Sequence, residues 1–176
     1  MVRTDFSSMR CPVARSMEVL GERWAILVLR EAYYGTRRFD EFQRHLGIAP
    51  NILSARLKKL VDYDLLARVP SETPGARHEY RLTEKGRDFF PVYVAIKRWG
   101  DRWMGDPAGQ NIVMLDAISG DEIVPPPLLR ADGAPMGPED VRILPGPGAT
   151  DRLRRRFAPA EGSDARGDDE KDAHHG

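Results

Sequence analysis

Residues 48–66, IAPNILSARLKKLVDYDLL, have the pattern of an amphipathic helix, and the neighbouring elements are best understood from this stretch. Pro50 suits the first helical turn, where its missing N–H has no intrahelical partner. Leu53, Leu57 and Leu60 recur at the spacing that turns one helical face towards a core. The opposite face is polar and partly basic, with Asn51, Ala55, Lys58, Lys59 and Asp62 on it and Ser54 and Arg56 at its two edges. Such a face predicts either a solvated surface or a helix that lies in a DNA major groove.

A shorter helix comes directly before this stretch. Asp40 is suited to cap or begin it, and Gly47 to stop it after Leu46. Its apolar side consists of Phe39, Phe42 and Leu46. A short helix, a tight turn and a second helix that begins at a proline predict a helix-turn-helix.

Two short strands are predicted after the amphipathic helix. Leu66–Val69 and Glu79–Leu82 have strand-like composition, and Pro74-Gly75 marks the turn between them. A two-stranded hairpin in this position is a wing. Thr83 is then a good N-cap for one long helix that runs to about Trp103. The aromatic surface of that helix exceeds what a small domain buries, so it predicts an oligomer interface.

Two helices are predicted before the helix-turn-helix, one from Pro12 to Leu20 and one from Trp24 to Tyr34. The second is apolar on nearly every side and should be the buried central helix, ended by Gly35. The fold class predicted from all these elements is α+β and mainly helical. It is a winged helix-turn-helix with a long C-terminal dimerisation helix, followed by a small β-rich extension.

Composition and charge agree with a DNA-binding domain followed by an acidic appendage. The 176 residues are 41% hydrophobic and 31% charged, and no apolar run reaches the roughly 18 residues that span a bilayer. The N-terminus lacks the apolar core of a signal peptide, so a cytoplasmic protein without a membrane partner is expected. Residues 1–103 hold 19 Lys and Arg against 13 Asp and Glu, whereas residues 104–176 hold 8 against 14. The first part can therefore attract a polyanion although the net charge is zero.

Four segments are predicted. Residues 1–10 form a flexible arm, 11–103 the DNA-binding and dimerisation domain, 104–149 the extension, and 150–176 a disordered charged tail that begins with a short helix over 151–157. No metal and no other cofactor is expected, because the single cysteine excludes a multi-cysteine zinc site and residues 104–149 contain neither Cys nor His.

A series of ordered motifs resembles the HxlR family, bacterial winged helix-turn-helix transcription regulators of the MarR type. The motifs run from residue 11 to residue 100: Cys11-Pro12-Val13, Gly21-x-x-Trp24, Leu27-x-Leu29-Arg30, Gly35-x-Arg37-Arg38-Phe39-x-Glu41, Leu53-Ser54-x-Arg56-Leu57, Leu65-x-x-Arg68, Glu79-Tyr80-x-Leu82-Thr83-x-Lys85-Gly86 and Trp99-Gly100. The resemblance implies a homodimer on a near-palindromic operator in double-stranded DNA, acting as a repressor. It also implies a dimer interface built from the first helix and the helix after the wing, with Val13, Met17, Phe90, Tyr93, Ile96, Trp99 and Trp103.

The extension resembles one found on some regulators of this type, in which two Cys-Gly turns hold a zinc knuckle. The matching turns here are Ser119-Gly120 and Asp132-Gly133, which carry no thiol. The role of the extension stays open between a dimer contact, ligand gating and a spacer.

DNA contacts are predicted in three groups. Asn51, Ser54, Ala55 and Lys58 should read base edges in the major groove. Arg37, Arg38, Arg56 and Lys59 should hold phosphates, with an ion pair to a neighbouring helix as the alternative for Arg56. Arg77 or His78 should enter the minor groove from the wing, unless His78 is simply a solvated loop residue.

Cys11 is a candidate redox sensor. Relatives that sense oxidants carry a cysteine at the same Cys-Pro-Val position, and a helix N-terminus with Arg10 and Arg15 nearby favours a thiolate. The alternative is a small cysteine that packs in a dimer interface.

Two other classes of function are an enzyme and an effector-binding switch. An enzyme is not expected, because no nucleophile elbow, P-loop, dinucleotide fingerprint or metal cluster is present. A switch that binds a small-molecule or oxidant effector is the other class, with an aromatic pocket expected near Trp24, Tyr93 and Trp99.

Overall fold

The computed structural model describes residues 5–71 and 78–157 of the chain. The chain divides into two units, residues 1–125 and 126–176. The predicted extension, residues 104–149, is therefore cut after Pro125, and its first part belongs to the unit that contains the helix-turn-helix. Arg77, the wing tip, residues 1–4 of the predicted arm and residues 158–176 of the predicted tail lie outside the described residues.

Four helices form the first part of the chain. They are α1 (Pro12–Leu20), α2 (Arg23–Tyr33), α3 (Phe39–Leu46) and α4 (Pro50–Asp62). α2 contacts α1, α3 and α4, and also reaches the sheet and the last long helix. The prediction of a buried central helix is confirmed, because Val28 and Leu29 of α2 are fully buried.

The wing is a two-stranded antiparallel sheet of β1 (Leu66–Pro70) and β2 (His78–Leu82). The pairing runs from Leu66 with Leu82, at the end of the sheet that adjoins α4 in the chain, to Pro70 with His78. Asp64 adopts a left-handed φ of 57° between α4 and β1. A non-glycine residue takes this conformation only where the chain must turn sharply, and here the turn leads from the helix into the wing.

The prediction of a single long helix after the wing is wrong in one respect. The structure has two helices, α5 (Glu84–Asp88) and α6 (Phe90–Met104), separated at Phe89. Pro91 is the physical reason, because proline lacks an N–H and its ring crowds the carbonyl four residues earlier. A proline is compatible with the first turn of a new helix, and α6 begins there.

The core lies between α2, α3, α4 and the sheet. Its fully buried side chains come from four elements: Val28, Leu29, Phe42, Leu53, Leu57, Leu60 and Leu66. Phe42 packs edge-on against Tyr80 of β2, with ring centroids 6.3 Å apart. The wing is therefore anchored to the helix-turn-helix by side-chain packing as well as by its connection to α4.

Residues 105–157 contain less regular β structure than the predicted β-rich extension. Their pairing is confined to two isolated bridges, Leu115 with Glu122 and Leu129 with Pro135. The first bridge belongs to the first unit and the second to the second unit. The second unit also contains a 3-10 turn at Pro138–Asp140 and the helix α7 (Asp151–Arg156), within the predicted short helix.

Gly120 and Gly133, the glycines of the two predicted knuckle-like turns, have φ values of 77° and 87°. Both turns are therefore of the type that favours glycine. Among the described residues, no group of three or more His, Cys, Asp or Glu is placed to hold a metal ion. In the same residues, every helix is too short or too polar to cross a bilayer.

Candidate nucleic-acid interface

The turn between α3 and α4 fixes the angle at which α4 leaves the core. α3 ends at Gly47, which has a left-handed φ of 60°, and the N–H of Gly47 donates to the carbonyl of Gln43 over 3.0 Å. Ile48 is buried directly after it, and Pro50 opens α4. The apolar anchor inside the turn holds both helices against the same core.

The polar face of α4 is exposed to solvent opposite three buried leucines. Asn51, Ser54, Ala55 and Lys58 are all exposed, whereas Leu53, Leu57 and Leu60 have no accessible surface. The ammonium of Lys58 lies 2.6 Å from the carboxylate of Asp62, and its side chain is 74% exposed. An exposed pair of this kind contributes little stability and is easily exchanged for another anion. The four side chains predicted to read base edges are thus brought together on one accessible surface.

Arg56 and Lys59 lie on a different side of α4 and face the N-terminal helices. The Arg56 guanidinium forms an ion pair with Glu22, and the Lys59 ammonium lies 2.9 Å from Glu18 and 3.6 Å from Glu22. Their side chains are only 19% and 16% exposed. For Arg56 the structure shows the ion pair that the sequence left as the alternative. Both cations are thus occupied by carboxylates of the chain itself, and their predicted phosphate contacts stay a prediction.

Glu18 and Glu22 are the residues that sequence reasoning missed at this site. They lie one turn apart at the α1–α2 junction and hold α4 by its two inward-facing cations. Their spacing, and that of Arg56 and Lys59, is visible in the sequence. The pairing across some 40 residues has no local signal, so only the fold reveals it.

Arg37 and Arg38 precede α3. Arg37 is exposed, and its carbonyl accepts the N–H of Tyr80 over 2.8 Å, which ties this loop to β2. The Arg38 guanidinium donates to both oxygens of Asp40 at 3.1 and 3.0 Å, and its backbone N–H donates to Glu41 at 3.1 Å. Arg37 therefore presents its cation to solvent, whereas the charge of Arg38 is shared with a neighbouring carboxylate.

His78 is on the second strand of the wing rather than in its loop. It is half-buried, packs edge-on against Tyr80 with centroids 5.7 Å apart, and its Nδ1 lies 3.0 Å from a guanidinium nitrogen of Arg68. The alternative of a plain solvated loop residue is therefore wrong for His78. Arg68 is a wing cation of β1 that stands next to it and is exposed.

The residues predicted for a dimer interface separate into two groups. Val13 and Met17 of α1 and Ile96, Trp99 and Trp103 of α6 are all exposed. Tyr93 is only 5% exposed, because it packs against Tyr33 of α2 and the following Tyr34, and its hydroxyl lies 2.6 Å from that of Tyr34. Phe90 is half-buried in the same aromatic cluster.

The placement of Tyr93 corrects its assignment to a dimer interface. Its side chain is part of the chain's own packing and offers little surface to a partner. The effector pocket near Trp24, Tyr93 and Trp99 stays a prediction.

Cys11 is the N-cap residue of α1 and is exposed. Its carbonyl accepts the N–H of Arg15 over 3.1 Å, as the first turn of the helix requires. The position matches the predicted one, and the redox role stays a prediction.

The fold and the exposed face of α4 define a winged helix-turn-helix protein. The family model for HxlR-like helix-turn-helix proteins matches residues 19–107, half of the chain. A Mycobacterium tuberculosis protein, described as an uncharacterised HTH-type transcriptional regulator, is 41% identical over 141 residues, which cover 80% of this chain and 89% of the relative. The protein belongs to the HxlR-like helix-turn-helix family and is a transcriptional regulator with a helix-turn-helix DNA-binding domain.

Solved structures with the same fold also include the region after α6. The crystal structure of PA1607, a candidate transcription factor, aligns with a TM-score of 0.73 at 41% identity, covering 80% of this chain and 98% of that one. PA1374 of Pseudomonas aeruginosa, described in the same way, aligns with a TM-score of 0.55 at 41% identity, covering 83% and 99%. The 141 residues shared with the mycobacterial relative cannot fit between residue 1 and the end of the family match at 107. The likeness therefore continues into the extension, which is shared with these proteins.

Proposed function

We propose that this protein is a homodimeric repressor that binds a near-palindromic operator. One observation supports the proposal: Asn51, Ser54, Ala55 and Lys58 form an accessible polar surface on α4, while the other two cations of α4, Arg56 and Lys59, pair with the carboxylates of Glu22 and Glu18. Asn pairs with adenine, Ser with several base edges, and the Ala methyl with the thymine methyl. A dimer that covers an operator within a promoter blocks access of RNA polymerase to it.

The proposed dimer is supported by the apolar side chains that α1 and α6 expose, among them Val13, Met17, Ile96, Trp99 and Trp103. Side chains of this size are costly to leave in water, and aromatic anchors are typical of the centres of interfaces. A two-fold axis through these helices would present two copies of α4 to successive major grooves, roughly 34–36 Å apart. We assign the phosphate contacts to Arg37 and to the wing cation Arg68, and Arg38, His78 and Arg77 are further candidates.

The experiment is selection of bound duplexes from a random pool, followed by binding titrations on the selected site. Wild type is expected to enrich a palindrome, and transcription from a promoter that contains it is expected to fall when protein is added. Lys58→Gln should weaken binding and change the slope of log affinity against log salt by about one if Lys58 meets a phosphate, or relax one base position if it meets a base.

Lys85→Gln is the charge-matched control. The Lys85 ammonium donates to the carbonyl of Tyr63 at the far end of α4, so its removal should leave base preference intact. Recovery of no preferred duplex, or an unchanged affinity and salt slope in folded Lys58→Gln, contradicts the proposal.

A further inference from the structure

A groove separates α6 from the first part of the extension, on a surface that the DNA-binding proposal does not use. It has a volume of about 410 Å³ and is formed by α6 and residues 110–123 of the same unit. Pockets that hold small organic ligands are commonly about 300–1,000 Å³. The groove is therefore large enough for a small ligand.

Backbone hydrogen bonds shape the wall opposite α6. The N–H of Ile123 donates to the carbonyl of Met114, and that of Asp116 to the carbonyl of Asp121, both over 2.8 Å. The Asp116 carboxylate accepts the N–H groups of Ile118 and Ser119 at 2.7 and 3.0 Å, and these two bonds hold the pKa of Asp116 below its usual value. This paired turn places Met114 and Ile123 next to each other in the groove lining.

The groove combines an apolar floor with cations. Val94, Met114 and Ile123 supply the apolar surface. Lys97 is only 15% exposed, and its charge is balanced by Asp101 at 2.6 Å. On the opposite wall, Glu122 accepts a long hydrogen bond from Gln110 at 3.4 Å.

Arg98 and Arg102 are the two further cations that line the groove. They lie one helical turn apart on α6, and both are exposed. Within residues 5–71 and 78–157, neither guanidinium forms an ion pair with a carboxylate; Arg102 instead lies over the ring of Trp103, 5.0 Å from its centroid. Two guanidinium groups thus lie beside an apolar floor, and neither has a carboxylate partner in the part of the chain that the structure describes.

We propose that this groove binds an organic acid with an apolar body. Arg98 and Arg102 receive the carboxylate, because a planar guanidinium matches its two oxygens with parallel N–H donors. The hydrocarbon part lies on Val94, Met114 and Ile123, where its burial contributes about 25 cal/mol per Å². Glu122 repels the carboxylate from the opposite wall and so fixes the orientation of the acid.

Most of the groove lining lies on the side of α6 that is turned away from the exposed apolar residues. At about 100° per residue, Val94, Lys97, Arg98 and Asp101 project roughly opposite to Val92, Ile96, Trp99 and Trp103. Arg102 lies at the border between the two sides, and its guanidinium lies over the ring of Trp103. A partner that covers the apolar side of α6 would therefore leave Arg98 accessible but would come close to Arg102.

The test is isothermal titration of the full chain with octanoate, octanol, octylamine and acetate. Octanoate should bind, whereas octanol lacks the charge, octylamine has the wrong charge and acetate lacks the apolar body. Binding of all three eight-carbon compounds with similar affinity would overturn the proposal, since it would indicate non-specific adsorption to exposed apolar surface. Absence of octanoate binding would overturn it as well.

Two variants locate the site. The double variant Arg98→Gln/Arg102→Gln removes the two cations, and Met114→Gln replaces part of the apolar floor. The double variant should weaken octanoate binding by about tenfold or more, the scale of charge-assisted hydrogen bonds. Arg23→Gln is the matched control, because Arg23 is an exposed arginine of α2 that does not line the groove. Equal affinity in the double variant and in Arg23→Gln would refute the assignment. As the titration contains no DNA, its outcome is independent of operator binding.

Discussion

The hydroxyl groups of Tyr33 and Tyr93 bind partners inside the chain. Tyr33 donates to the carbonyl of Gly86 over 2.8 Å, and the Tyr93 hydroxyl lies 2.6 Å from that of Tyr34. Burial raises the pKa of Tyr33 to about 12. Burial, and then the hydrogen bond to Tyr34, also raises the pKa of Tyr93 above its ordinary value of 10.0. Both phenols therefore resist ionisation in the folded chain, where a phenolate would be poorly solvated.

This difference predicts a loss of stability in alkali. A raised folded-state pKa means that the stabilisation is fully present below the unfolded value of about 10 and declines as pH rises from there towards the folded value. The free energy of unfolding in urea should fall as pH rises from about 10 to about 12, and the free energy of Tyr93→Phe should fall less steeply than that of wild type. An equal slope in the two proteins would show that Tyr93 is not the group responsible.

At the scale of elements, two helical glycines have opposite surroundings. A Cβ on Gly86 of α5 would lie 2.1 Å from the carbonyl oxygen of Leu65, so α5 packs directly on the backbone that leads into β1. A Cβ on Gly100 of α6 would meet nothing within 4 Å. Gly86 is thus needed for close packing, whereas Gly100 only costs helix stability.

The two substitutions to alanine should therefore have opposite signs. Gly86→Ala should destabilise the chain by about 1–3 kcal/mol or more, because the backbone must move to admit the methyl group. Gly100→Ala should be neutral or should stabilise it by up to about 1 kcal/mol, since alanine is the better helix former. Urea unfolding of both variants measures the difference, and equal stability would contradict the packing at Gly86.

Elements with a strong local signal could be predicted from the sequence, and long-range contacts could not. The apolar spacing of α4 and the Gly47 stop of α3 are local, so the helix-turn-helix and its buried leucines are confirmed. Pro91 was also a local signal for the break between α5 and α6, but the aromatic run around it favoured one helix. The ion pairs of Arg56 and Lys59 depend on where α1 and α2 pack, which no nearby residue encodes. For that reason, the sequence indicated only approximately which polar residues of α4 remain exposed.

At the scale of the whole molecule, the exposed apolar residues are unevenly distributed between the faces of α6. Trp103 is 65% exposed and Trp99 55%, whereas Val94 on another face is buried. α1 adds Val13 at 68% exposure. A surface of this kind favours association of two chains.

Trp103→Glu should weaken that association. Truncating an aromatic anchor commonly costs at least about 2 kcal/mol, so the dimer dissociation constant should rise about 30-fold or more, with helix content unchanged. Ile143→Glu is the control, since Ile143 is 64% exposed but belongs to the second unit. Light scattering coupled to size exclusion gives the mass. A wild-type mass of one chain, or equal effects of the two substitutions, would refute an interface on α6.

α4 has one side that packs against the rest of the chain and one that is exposed, and this has a consequence for how such regulators diverge. Its inward cations are committed to Glu22 and Glu18, and its leucines to the core, but Asn51, Ser54 and Ala55 have no hydrogen-bonded side-chain partner among the described residues. Surface substitutions of this kind typically change stability by no more than about 0.5 kcal/mol. After gene duplication, a copy can therefore exchange these side chains while its scaffold stays intact. If α4 reads the operator as we propose, the exchange gives that copy new target genes. In this fold, substitutions on the exposed face of α4 change stability little, whereas substitutions of its buried leucines or its ion-paired cations change it more.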